Sequence, residues 1–138
     1  MGYGVHPYAV DYSRLPKETR DMDGYALEQA LAGRFLSNRR WSAMRMAWFD
    51  MVDEALSGAG FEGTLSHYFM RGAPVPIQPP QDFPMIGRIE PDEVAPLLAS
   101  LRKAVVGIED LDRYEAVVEV LGWLDGLRPA HGIVTFYY

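Results

Sequence analysis

Two short aromatic, β-rich segments stand at opposite ends of the chain, Tyr3–Val10 and Gly132–Tyr138, and most of what lies between reads as helix or loop. Strand backbones need partners when buried, so these two are expected to lie side by side in one small sheet. That requirement limits the chain to an α+β fold, mostly helical, with the sheet formed by the N- and C-terminal strands. Within the first segment Tyr3 and Val5 share one parity and Tyr8 and Val10 the other. A bulge near His6-Pro7 is the expected remedy, since proline cannot donate to a ladder.

The middle of the chain shows helical punctuation. Asp11 to Asp23 is polar, with one helical turn expected and Leu15 pointing inward. Asp23 suits an N-cap, and Leu27, Ala30, Leu31 and Phe35 continue at helical spacing, which predicts a helix to about Phe35. A second helix is predicted from an Asn38 cap to Leu56, with Trp41, Met44, Trp48, Met51, Val52, Ala55 and Leu56 on its apolar face and Gly58 and Gly60 closing it. Thr64 to Gly72 fits a short helix better than a strand, because glycine follows its end. Ala73 to Pro84 holds five prolines and is an extended loop, tacked down by Val75, Ile77 and Phe83. Ile86–Ile89 reads as a short strand. Glu90-Pro91-Asp92-Glu93 opens a helix whose face is Val94, Leu97, Leu98 and Leu101, with a kink expected at Pro96. The last helix runs over Glu109–Leu127, with Leu111, Tyr114, Val118, Leu121 and Leu124 on its expected apolar face and Val117 and Val120 beside it.

A chain of 138 residues, 49% hydrophobic and 23% charged, is expected to form one domain over residues 1–138. The net charge of −6 disfavours nucleic acid and favours a basic protein partner. No cysteine is present, which removes disulfides, thiolate metal ligands and cysteine nucleophiles. No segment has the ~20 apolar residues of a membrane helix, and the N-terminus lacks a signal-peptide layout, so a cytoplasmic setting is expected. Eleven arginines against two lysines point to a high-GC bacterial genome.

No catalytic constellation emerges. His6, His67 and His131 have no zinc-ligand spacing, and no metal or cofactor is expected. The serines lie in no nucleophile elbow. Gly58, Gly60 and Gly63 spell G-x-G-x-x-G, but behind a helix, where capping explains them better than a dinucleotide. Arg39, Arg40 and Arg45 read as a solvated helix face before an anion site. If the terminal strands are neighbours, His6 and His131 stand to approach one another. Asp82 and Arg88 near the proline loop, with Tyr137, complete the polar set expected at a binding site.

Three segments together resemble the YfbM-like families of small uncharacterised bacterial proteins: Tyr3–Asp11, Ile89–Val94 with the helix after it, and Val134–Tyr138. The resemblance implies an α+β fold with many helices around a small sheet, and brings no activity, cofactor or residue role. Two functional readings follow. One is a non-catalytic protein-binding module, immunity-like or regulatory. The alternative is a small-molecule-binding protein or enzyme with its site between the terminal strands and the proline loop. A deep pocket with perturbed titratable groups favours the second, and an exposed apolar patch the first.

Overall fold

The terminal segments pair. In the computed structural model, which describes residues 4–31, 35–38, 46–79 and 83–138 (backbone alone at 35–38 and 46–48), β1 (Val5–Asp11) runs antiparallel to β4 (His131–Tyr137). Their register is unbroken from Val5 opposite Tyr137 to Asp11 opposite His131, and Gly4 and Tyr138 exchange both backbone bonds beyond it. No bulge occurs at His6-Pro7 on this side. The parity conflict vanishes because both faces of β1 are buried: Val5 and Ala9 enter one core cluster, Tyr8 and Val10 another. The irregularity lies on the other edge, between Ala9 and Val10. Counting ladder pairs in steps of two from Gly4–Tyr138 turns the Pro7 nitrogen away from β4, so its missing donor breaks no β1–β4 bond.

The partner on that other edge is β2 (Phe35–Asn38), which completes the order β2-β1-β4-β3 with β3 (Met85–Ile89). This corrects the sequence reading. Helix α1 (Gly24–Leu31) stops before Phe35, and Asn38 pairs with Tyr8 in the sheet in place of capping a helix. Helical spacing carried across Phe35 because periodicity is blind to a strand edge waiting elsewhere in the chain. Helix α2, described over Met46–Gly58, buries Phe49, Val52 and Leu56, while Met51 is 39% exposed. Trp41, Met44, the side chain of Trp48, and Arg39, Arg40 and Arg45 lie outside the described residues. Gly58 is the last residue of α2, and beyond it Gly60 adopts φ of 89° while the Phe61 amide donates to the Leu56 carbonyl, so Gly60 closes the helix as read.

The sheet is covered on both faces. On one side pack α2, α3 (Leu65–Met70), α4 (Pro91–Val105) and α5 (Leu111–Leu124), with Leu65, Phe69, Leu101, Val120 and Trp123 among the buried side chains. On the other lie Leu27 and Leu31 of α1, together with Ala73, Val75 and Ile77 of the proline loop and Leu15, which follows the 3-10 turn Tyr12–Arg14. Thr64 caps α3 by accepting from the His67 amide, and Glu90 and Glu93 form a capping box at α4 with Pro91 inside it. Helix α5 corrects the sequence reading again. Of the expected apolar residues Leu111, Tyr114 and Val118 are exposed, and the buried face turns to Val117, Val120 and Leu124 together with Ala116 and Trp123. One contact fixes how closely the helical layer meets the sheet: a Cβ on Gly87 of β3 would stand 2.2 Å from the Tyr68 carbonyl oxygen, so only glycine lets α3 lie on that strand. No helix among the described residues is long and apolar enough to cross a membrane.

Candidate functional site

The chain passes from the helical layer to the opposite face by rounding the outer edge of β3. The Gly72 amide donates to the Ile86 carbonyl at 2.8 Å, with Gly72 at φ 102°. Arg88 then clamps the turn. Its Nη1 donates to the carbonyls of Arg71, Gly72 and Ala73 at 3.1, 3.1 and 3.3 Å, and its Nε donates to Glu90 at 2.7 Å. Arg71 answers by donating Nε to the Arg88 carbonyl and gripping Glu93 with both guanidinium amines, its Cζ 5.1 Å from the centre of the Tyr68 ring. The hydrogen-bonded Glu93 carboxylate pushes Arg71 up from its ordinary value. Burial pushes Glu93 up, but the Arg71 bonds, the Glu90 amide and the nearby arginine charges outweigh it and hold that carboxyl below the usual range.

Past this clamp the proline loop is latched to the segment before α1. Thr19 Oγ1 donates to the Pro76 carbonyl, and Gln78 donates its amide to Met22 and its side chain to Asp21, both at 2.9 Å. Pro84 closes against the start of α1, where a Cβ on Gly24 would fall 2.6 Å from the proline ring. Between loop, α1, the α3 exit and β3 opens a cleft of about 630 Å³. Its walls are largely apolar, with Met70, Val75, Ile77, Phe83, Met85 and Ile86 among them. Met70 is 50% exposed and Phe83 38%. The polar residues that line it are already engaged: Asp23 caps α1 by accepting from the Ala26 amide at 2.7 Å, Arg71 holds Glu93, and Gln78 holds the loop.

The residues singled out from sequence fall in different places. His6 lies opposite Phe136 and His131 opposite Asp11, five ladder steps apart, or about 17 Å along the strands. The expected His6/His131 pair is therefore not formed. Antiparallel pairing sets the start of one terminal strand against the end of the other, so two histidines near the starts must separate. His6 is buried and stacks on Tyr138 at 4.2 Å, and His131 accepts from the Arg128 amide through Nδ1. Asp11 beside it is held below the usual carboxylate range chiefly by Ser13, with a smaller effect from His131. Tyr137 is buried beneath Phe83, with ring centroids 6.1 Å apart, and Arg88 supports the cleft through the clamp. Asp82 lies outside the described residues.

Sequence reasoning missed a buried carboxylate. Glu28 of α1 accepts from the Tyr8 hydroxyl at 2.9 Å and the Tyr138 hydroxyl at 3.0 Å, and Tyr25 meets the Tyr138 ring edge-on. The signal was present: Glu28 stands three residues before Leu31 on the face that enters the core, and a buried acid there needs donors such as the terminal tyrosines. Two buried hydroxyls, Tyr12 and Thr135, have no hydrogen-bond partner among the described residues, and burial pushes the Tyr12 phenol up. Among the described residues no group of three or more histidines, aspartates or glutamates is placed to hold a metal.

One protein-family profile matches the chain, over residues 16–138, and its description is Domain of unknown function (DUF7691). No curated protein and no solved structure matches.

Proposed function

Because the chain belongs to this family, whose description carries no activity, we propose its function from its own surface: a non-catalytic binding module that takes apolar side chains of a protein partner into the cleft beside the proline loop. The observation that carries this reading is the pairing of half-exposed Met70 and Phe83 with apolar walls and with polar groups already bound elsewhere. Methionine and proline walls accept varied apolar shapes, and a latched loop limits the ordering entropy lost on binding. The net charge of −6 favours a basic partner and faster encounter with it. An immunity-like or regulatory role in a bacterial cytoplasm fits this chemistry. The likeness to YfbM-like proteins rests on the terminal segments and the start of α4 and adds no residue role.

A small apolar molecule is the second reading, favoured by the cleft volume, which falls in the range of about 300–1,000 Å³ usual for small-ligand pockets. A peptide library panned against the whole protein separates the two. The first reading expects peptides with apolar anchors whose affinity drops about tenfold or more, roughly 1.4 kcal/mol, in Met70→Lys and Phe83→Ser, with both variants still folded by circular dichroism. Affinity indifferent to both substitutions overturns it. Failure to select any peptide, together with binding of free apolar fragments in the cleft, establishes the second reading.

A further inference from the structure

Helix α5 carries an exposed apolar row and, beside it, an acidic row. Leu111, Tyr114 and Val118 stand at i, i+3 and i+7 and are 65%, 40% and 42% exposed. One residue on, at the same spacing, come Asp112, Glu115 and Glu119. Each residue turns an α-helix by about 100°, so the apolar row lies opposite the buried stripe of Ala116, Val120 and Trp123, and the acidic row runs along one flank of it. The basic residue of α5, Arg113, is turned aside, with its guanidinium 3.0 Å from Asp110 at the N-cap. Glu119 is steadied by the Trp123 indole N–H at 3.2 Å. None of these side chains lines the cleft, which is built from α1, the loop, the α3 exit and β3.

We propose that this face of α5 docks a basic amphipathic helix of another protein, with apolar side chains at helical spacing and Lys or Arg along one flank. An apolar stripe seats the partner helix and the charged flank fixes its direction and speeds its arrival. Charge complementarity selects this occupant over a second copy of the chain. A two-fold axis that packs α5 antiparallel on itself keeps the acidic row on the same side in both copies, so acid meets acid. The docking face is separate from the cleft, so it stands or falls independently of the function proposed above.

The test uses the whole protein and two synthetic helices of equal length, each with a leucine stripe, one flanked by lysines and one by glutamates. Binding is read by fluorescence anisotropy and mapped by backbone NMR. The lysine helix is expected to bind at low salt, weaken as salt rises, and shift resonances of residues 111–119. Leu111→Ser with Val118→Ser is expected to lower that affinity about tenfold or more, because the apolar contact area is removed at exposed positions. Asp112→Lys with Glu115→Lys is expected to lower it similarly and to admit the glutamate helix. Equal binding of both helices to the unsubstituted protein overturns the proposal, as do shifts confined to residues outside α5. A dimer of the protein alone that Leu111→Ser with Val118→Ser dissolves also overturns it, by assigning the face to a second copy.

Discussion

At the scale of single residues, the most consequential group is Glu28, because it ties α1 to both terminal strands. A carboxylate taken out of water is tolerable here because two phenols donate to it, and a hydrogen bond to a charged group is worth about 1.5–3 kcal/mol. Tyr8→Phe and Tyr138→Phe are each expected to cost up to that amount in urea denaturation. The double variant leaves the acid buried without its phenol donors, and adding Glu28→Leu should then restore part of the lost stability. Simple additivity across all three substitutions contradicts this account. Such a cluster was only half legible beforehand. The chain places tyrosines on the terminal strands and an acid on a core face, but nothing local says that these positions meet across |i−j| of 20 and 110.

At the scale of elements, the Arg71–Glu93 pair joins the α3 exit to the first turn of α4 and makes that junction sensitive to acid. Glu93 has a folded value depressed below its ordinary 4.5, so its contribution is fully present above that pH and is lost as pH falls through the folded value. Partly exposed as it is, the pair is expected to contribute about 1–3 kcal/mol, between a surface and a buried ion pair. In Glu93→Gln the stability near neutral pH should fall by about that much, and the decline on acidification should flatten relative to the parent. An unchanged acid slope contradicts the assignment. Elements with local punctuation were legible: α3 with its Thr64 cap and Gly72 stop, α4 with Pro91 and the capping box, and the β3 strand. Those set by distant partners were not. Phe35–Asn38 is a strand because the edge of β1 receives it, and α5 buries Ala116 and Val120 over Leu111 and Val118 because the position of the helix over α2 and α4 chooses the face. Side-chain apolarity alone offered two overlapping stripes on α5 and gave no means to rank them.

At the scale of the molecule, adjacent terminal strands were read correctly, but the sheet they form lies inside the protein, with helices on one face and α1 plus the proline loop on the other. The candidate site moved with that arrangement. The cleft opens where the loop rounds β3, whose Met85 and Ile86 line it, so the histidine pair contributes nothing to it and Arg88 contributes as a clamp. The most direct test of the proposed cleft uses protein labelled with carbon-13 at the methionine methyls, titrated with a peptide selected on the whole chain. Met70 and Met85 line the cleft, and Met51, exposed on α2, is a control within the same spectrum. The account predicts that the Met70 and Met85 methyls shift and show intermolecular NOEs while Met51 stays in place. Shifts at Met51 with Met70 and Met85 unmoved would contradict it.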